Sequence, residues 1–499
     1  MSERNWSVNQ LAIFSEIENT TNSIAVGAVA GSGKTTTIVE GVRRLPSGWS
    51  VLLVAFNKSI ATELGRRVPS GVDCKTFHAL GFAAWRSYLG RDRCTVQVNK
   101  TWKILDDMVR SGDLDKKDIS LYGSFVTKIV GLAKNAGVGT DLCEDNPDAW
   151  YSIIEHHDLS LGSVHADMNT AIDISSRVLR AGARQKYVID FDDMLYMPVL
   201  VGATFKRYDA LFVDEVQDTN LLQAAIMEAS LSVRGRVVLV GDIRQAIYGF
   251  RGADAEAFSR LISNFDCKEL PLSVSYRCAS EIVKEANVIA PEIESFDGAP
   301  VGIVDVIDHY TMDTFTRDDA ILCRNTAPLI CMAYGLIRRG MGVRFLGREI
   351  GKGLINLIRQ MDAASIEALE FNLEAWEARE VEKATRKRND AALAAITDKV
   401  ACIGVFIDNL PETSRTVSAL VAAIDFLFEE KTGQLLALCT VHKSKGMEWD
   451  HVFILDRHLM PSKYATQEWM KVQESNIVYV AITRAKTHLS YINSECWKE

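Results

Sequence analysis

The first regular pattern in the chain is an apolar run, Ile24–Val29 (IAVGAV), followed by a glycine-bearing loop, a stretch compatible with a helix and a second apolar run, Val51–Phe56 (VLLVAF). Short apolar runs bounded by turn residues suit strands buried on both faces, so this order predicts a β–loop–α–β unit that opens a parallel sheet. Two further short apolar runs, Ala210–Asp214 and Val237–Asp242, end in acidic residues far downstream. Between them and the first unit, from about Gly90 to Val188, apolar residues recur at helical spacing around Lys100–Arg110, Tyr122–Asn135, Pro147–His156 and Val164–Gly182. Strand signal is weak there, which predicts a helical insertion into the first sheet domain.

Strand-like runs return after Arg277, at Val301–Ile307, Ala320–Cys323, Gly342–Leu346, Leu435–Val441 and His451–Leu455. They predict a second α/β domain, interrupted by Ile355–Lys431, which is rich in Ala, Glu, Lys and Arg at helical spacing. The charge run at 379–390 mixes both signs and is read as solvated helix surface, in preference to a DNA-facing patch. No internal repeat or low-complexity segment breaks this organisation.

Composition narrows the class. At roughly 150 residues per domain, a chain of this length makes about three domains or an elaborated pair. Hydrophobic residues at 47% and charged residues at 24% belong to a globular protein with ample core. The net charge of −9 argues against a protein that coats nucleic acid through bulk positive charge, and leaves room for a local basic groove. The ten cysteines contain no CxxC pair and no zinc-like spacing, so they are expected to be reduced and mostly buried. With no apolar leader in MSERNWSVNQ and no long apolar stretch, the expectation is a soluble intracellular protein, cytoplasmic in a bacterial or phage-infected cell or associated with the nucleoid.

The strongest chemical signal is AVAGSGKT, Ala28–Thr35, between a strand and a helix. Phosphate oxygens need converging N–H donors and a compact cation; Lys34 would reach the β/γ oxygens and Thr35 would hold Mg²⁺. Ala28 replaces the first Gly of the general pattern GxxxxGK[ST]. The second signal is LFVDEVQD, Leu211–Asp218, where Asp214 would hold Mg²⁺ and Glu215 would accept a proton from the attacking water. Alone it reads equally as a strand end with an acidic turn; beside a P-loop it points to hydrolysis. Arg277 in LSVSYRC and Arg484 in YVAITRAK are the candidates for stabilising charge on a transferring phosphoryl group.

The ordered set AVAGSGKT, CKTFHALG (74–81), DEVQD, VGDIRQAIYGFRGAD (240–254), LSVSYRC, TVHKSKGMEWD (440–450) and VYVAITRAK (478–486) resembles the UvrD/Rep/PcrA family of superfamily 1 DNA helicases. AFNKSIA followed by CKTFHAL is most similar to the helicase portion of the F-box DNA helicases. The resemblance implies two RecA-like parallel-sheet P-loop domains with helical insertions. Segments 1–90 and 189–277 would form the first, with 91–188 inserted; 278–354 and 432–499 would form the second, around a reduced insertion at 355–431. Larger relatives carry a bigger subdomain at that second point.

Roles follow by position. The resemblance implies ATP and Mg²⁺ as cofactors, bound by Ala30, Gly31, Ser32, Gly33, Lys34, Thr35 and Thr36. Gln10 would read the adenine edge, Tyr276 stack on the adenine and Glu448 contact the ribose. Gln245 would sense the γ-phosphate, and Arg277 and Arg484 would reach it across the cleft between the two domains. Phe56, Tyr248 and Phe250 would stack on bases, with Arg251, Thr76, His78, Thr440, His442 and Lys445 beside the strand or coupling it to ATP. Phe56–Asn57–Lys58 is one residue shorter than the family's usual Phe–Thr–Asn–Lys, Phe250 stands where many relatives have Trp, and Ser275 where Asn is common.

The implied function is a DNA-dependent ATPase that moves 3′→5′ on single-stranded DNA and opens duplex junctions. Two other readings stay in view. A P-loop kinase acting on a small molecule would leave DEVQD and the arginine pair idle, and an ATP-gated single-strand clamp or remodelling ATPase would hydrolyse without processive unwinding.

Overall fold

In the computed structural model the described residues are 5–55, 57–90, 94–157, 159, 161, 166–247, 257–386, 390–429 and 433–496. The chain divides into two compact units, one of Met1–Val29 with Gly33–Ser273 and one of Ala30–Ser32 with Val274–Glu499.

The first unit is built on a six-stranded sheet of β1 (Ile24–Ala28), β2 (Val51–Val54), β3 (Asp73–Lys75), β4 (Tyr208–Val213), β5 (Leu231–Gly241) and β6 (Lys268–Leu272). Their order across the sheet is β3-β2-β4-β5-β1-β6, with every pairing parallel. Val51–Val54 and nearly all of Tyr208–Val213 are buried, as expected for strands covered on both faces. The register aligns Gly27 with Gly241, Leu239 with Val213, and Val213 with Val54, so the loops leaving these strands emerge along one edge. Such an edge, at the carboxyl ends of parallel strands, is where α/β sheets carry their chemistry.

The stretch between β3 and β4 is helical, as predicted, over Lys100–Arg110, Lys116–Asn135, Pro147–His156 and Met168–Arg184. The second helix starts well before Tyr122 because Asp115 forms a capping box with Asp118, and the last starts at Met168 because Asp167 caps it. A short parallel pairing of Thr95–Val96 with Val188–Ile189 ties the two ends of that stretch together. Inside it two lysines are buried with their partners: Lys100 Nζ lies 2.7 Å from Asp193 Oδ2, and Lys134 Nζ lies 2.6 Å from Asp190 Oδ2 and 2.8 Å from Asp193 Oδ1.

The second unit holds another six-stranded parallel sheet: β7 (Ile303–Ile307), β8 (Ala320–Cys323), β9 (Val343–Leu346), β10 (Leu436–Thr440), β11 (Trp449–Leu455) and β12 (Ala485–Ile492), in the order β7-β12-β11-β8-β10-β9. The helices Arg348–Gln360, Ile366–Arg386, Asp390–Asp408 and Val417–Phe428 fill the predicted strand-free stretch. Leu369, Leu373, Phe406, Ile424 and Phe428 share one apolar core with Phe345 and Leu438 of the sheet. Within the charge run, Lys383–Glu380 and Arg386–Glu382 pair along the helix surface. The nine cysteines whose side chains are described are free thiols; Cys278, Cys323, Cys402 and Cys439 are buried, while Cys331 is exposed. No described helix is long and apolar enough to cross a membrane.

Candidate active site

The phosphate-type loop leaves β1 and ends in Gly33, whose φ of +81° suits glycine and turns the chain into the helix Lys34–Arg43. Gly33 brings no side chain to cap that helix, so its first N–H groups face the loop, which is the arrangement that receives phosphate. Gly31 also has positive φ, Ala30 and Ser32 are buried, and Thr35 and Thr36 sit half-buried in the first helical turn. Lys34, at the helix start, lies 3.7 Å from Glu215 Oε1.

Asp214 and Glu215 follow β4 directly. Glu215 has φ +54°, left-handed backbone that an L-side chain adopts at a cost of roughly 1–2 kcal/mol, and such strain concentrates at sites that do chemistry. Its backbone N–H donates to Asp214 Oδ1 at 2.9 Å. From Glu215 a hydrogen-bond chain crosses to the end of β5. Gln217 Nε2 donates to Glu215 Oε2 at 2.5 Å, Gln217 Oε1 accepts from the Asp242 N–H at 3.1 Å, and Gln245 Nε2 donates to Asp242 Oδ2 at 2.7 Å. Gly241 makes the crossing possible, since a Cβ there would stand 2.6 Å from Gln217 Oε1.

Burial and the neighbouring Glu215 charge push the Asp214 carboxyl up to about 7, with Lys34 opposing. Burial likewise raises Asp242, against Lys34 and the Gln245 hydrogen bond. One ammonium thus faces more carboxylate than it balances, a donor set that fits a divalent cation. Among the described residues no group of three or more His, Cys, Asp or Glu is arranged to hold a metal by itself. A cation here would therefore take few protein ligands and fill its shell with phosphate and water oxygens, as Mg²⁺ does.

Gln10, expected at the adenine edge, is buried beside the loop and belongs to a capping box: its Oε1 accepts from Ser7 N–H, and its Nε2 donates to Thr37 Oγ1 at 3.0 Å. An amide carries two donors and two acceptor sites, so one of each remains for a ligand. Thr76 caps the helix Phe77–Tyr88 by accepting from Ala79 N–H, and His78 in that first turn is held below its ordinary pKa by burial. Phe56, Tyr248, Phe250 and Arg251 lie outside the described residues.

In the second unit, Tyr276 and Arg277 follow the short strand Val274–Ser275. Tyr276 is 41% exposed. Arg277 forms an ion pair with Glu448 (Nε to Oε2, 2.5 Å) and donates through Nη1 to Thr483 O. Glu448, expected at the ribose, also pairs with Lys486 at 3.5 Å; burial opposes its ionisation, but Arg277 and Lys486 together hold its carboxyl below the usual range. Arg484 is buried and donates to Val480 O and Met447 O. Thr440 is buried at the end of β10, with His442 and Lys445 in and just after the short helix Val441–Ser444 that follows.

Reading by motif left out Gln217 and Asp242, the middle of the chain from Glu215 to Gln245. Both stand within the quoted strings DEVQD and VGDIRQ, and the Asp242–Gln245 spacing of a single turn was the available clue. Asn220 was missed as well: it caps the helix after DEVQD and donates to Asn135 Oδ1, while Asn135 donates to Asp192 Oδ1.

The comparisons bear on the whole chain. Residues 10–266 match the UvrD/REP helicase N-terminal domain and residues 256–495 the UvrD-like helicase C-terminal domain. F-box DNA helicase 1 of Gallus gallus is 25% identical over 93% of this chain and 46% of its own length; F-box DNA helicase protein 1 of Schizosaccharomyces pombe is 25% identical over 93% and 55%. DNA helicase II of Escherichia coli is 22% identical over 95% of this chain and 82% of its own. The chain thus spans about half the length of the F-box relatives. With both domain matches in sequence order, and the P-loop, carboxylates and arginines inside them, the chain belongs to the UvrD-like helicase family.

Proposed function

We propose that this chain is an ATP-dependent motor that moves 3′→5′ along single-stranded DNA and separates duplex ahead of it. The observation that carries the reading is the chain Glu215–Gln217–Asp242–Gln245, which connects the carboxylate beside Lys34 to the segment in front of Tyr248. A hydrolytic base joined by short hydrogen bonds to the root of a DNA-contacting segment is what coupling hydrolysis to strand movement requires. Segments 91–188 and 355–431 are read as insertions into two RecA-like domains.

Lys34 would bind the β/γ oxygens of ATP, and Glu215, steadied by Gln217, would take the proton of the attacking water. Arg277 and Arg484 would meet the charge that builds on the γ-phosphoryl group. Thr35 and Asp214 would hold Mg²⁺, which supplies charge neutralisation on the phosphate oxygens when bound. Gln10 and Tyr276 would receive the adenine, and Glu448 the ribose. Phe56, Tyr248 and Phe250 would stack on bases, with Thr76, His78, Arg251, Thr440, His442 and Lys445 on or near the backbone.

The test is strand displacement on duplexes with a 3′ or a 5′ single-stranded overhang, beside ATP hydrolysis with and without single-stranded DNA. Displacement from the 3′ overhang alone, with strongly stimulated hydrolysis and binding that weakens steeply with salt, is expected. Stimulated hydrolysis with no displacement from either end would replace the motor by an ATP-gated clamp, and hydrolysis indifferent to DNA would remove both.

A further inference from the structure

Tyr276 does not stand alone. Val274–Ser275 pairs in parallel with Glu294–Ser295, Val274 opposite Glu294 and Ser275 opposite Ser295. The next step in that register brings Tyr276 and Phe296 together, and their rings stack with centroids 5.6 Å apart and planes 27° from parallel. The loop that carries Phe296 is pinned at both ends to the helix that follows Tyr276, Ser280–Asn287. On one side Asn287 Nδ2 donates to Ile293 O at 2.6 Å and Ala290 O at 3.3 Å; on the other, Ser280 and Glu281 N–H donate to Pro300 O and Val301 O, both at 2.9 Å. Those two N–H groups are helix-start donors, so the loop takes up bonds the helix could not make internally. Gly298, with φ +85°, turns the loop back, and Ala299 N–H donates to Phe296 O.

We infer that Phe296 is a positioning residue that stacks on one face of Tyr276 and thereby holds the other face ready for the adenine base. The inference rests on the proposed reading of Tyr276 as the adenine platform. A half-exposed tyrosine on an unsupported backbone would sample several rotamers, and each would have to be given up on binding. A second ring fixed by a pinned loop removes that freedom beforehand, and the benefit appears as affinity for the base. Phe296 lies outside the motifs assigned to the phosphates, so its contribution should fall on nucleotide affinity and leave the chemical step alone.

The experiment measures ATP KM and kcat at saturating single-stranded DNA for the parent, Phe296→Ala, Phe296→Leu, Phe296→Tyr, Tyr276→Ala and the Tyr276→Ala/Phe296→Ala pair. Inhibition by inorganic tripolyphosphate serves as the control without a base, and thermal melts accompany each variant. Phe296→Ala and Phe296→Leu are expected to raise KM roughly two- to tenfold with kcat near the parent value. Tripolyphosphate inhibition should be unchanged, Phe296→Tyr should restore the parent KM, and Phe296→Ala should add nothing once Tyr276 is Ala. If Tyr276→Ala raises KM and neither Phe296→Ala nor Phe296→Leu does, the positioning role is wrong and the platform stands. If Tyr276→Ala leaves KM unmoved, the reading of Tyr276 fails instead. A Phe296→Leu variant that weakens tripolyphosphate and ATP alike, or lowers kcat in step with its melting temperature, would return Phe296 to a purely structural role.

Discussion

Replacing Glu215 by Gln isolates the carboxylate charge while keeping nearly every contact. The Gln217 Nε2 donor at 2.5 Å still finds a carbonyl oxygen, and the backbone bond to Asp214 Oδ1 is untouched. What changes is that a charge-assisted bond worth about 1.5–3 kcal/mol becomes a neutral one worth about 0.5–1.5. Lys34 also loses a partner 3.7 Å away, while Asp214 is freed of a like-charged neighbour. These terms oppose each other, so stability should move by no more than about 1 kcal/mol, a melting shift of a few degrees at most. Turnover is another matter, because an amide cannot take a proton from water, and loss of a general base costs about 10²–10⁴-fold. Glu215→Gly adds a control: without the carboxylate it should be as inactive as Glu215→Gln, while relief of the φ of +54° offsets part of the lost Gln217 bond. The assay is single-turnover hydrolysis with ATP binding measured in parallel. A Glu215→Gln rate within about tenfold of the parent would refute the general-base role, and parallel loss of ATP binding would make Glu215 a binding residue.

Lys34→Ala should lower hydrolysis by at least about 10²-fold, since AVAGSGKT holds no other cation, and near-parent turnover would contradict the phosphate-loop assignment. Arg277→Ala and Arg484→Ala should each cut turnover by about 10³-fold while sparing ATP affinity. Arg484→Ala should also lose about 1–3 kcal/mol of stability, because it strands the Met447 carbonyl that the buried guanidinium satisfies. Stability should also depend on His451, which burial and the stacked His488 hold down from 6.5 to about 4, with Asp305 opposing. A depressed folded-state pKa means the unfolded chain binds the proton more readily, so stability is full above about pH 6.5 and falls as pH drops toward 4. Melts across that range should show the slope, and His451→Phe should flatten it.

Much of the first sheet, and the loop that leaves β1, was legible in one dimension. Buried parallel strands write themselves as short apolar runs, and β1, β2, β4 and β8 were all visible in that way. A phosphate loop is also local, since one strand end, two glycines and a helix start supply its N–H groups; AVAGSGKT therefore names its own shape. DEVQD and the two arginines say little one at a time and stand out only through the order of the motifs that hold them.

Other features depended on what the fold brings together. β12 was not anticipated, because AKTHLSYI alternates polar and apolar residues and carries Thr487, His488 and Ser490 into the sheet. His488 and Ser490 are tolerated because Asp305 on β7 and His451 on β11 lie within hydrogen-bond reach, partners far away in sequence, while Thr487 is exposed and donates to Asp450 O. Lys100 and Lys134 look like surface residues of amphipathic helices, yet both are buried because Asp190 and Asp193, more than 50 residues further along the chain, meet them. The chain from Glu215 to Gln245 and the stack of Phe296 on Tyr276 have the same origin. Local pattern determines which backbone state a segment prefers and where a phosphate loop forms, because those depend on neighbours a few residues away. Which buried polar group meets which partner is decided only when strands and helices pack, since an unpaired donor or charge is costly in the interior and cheap in the unfolded chain.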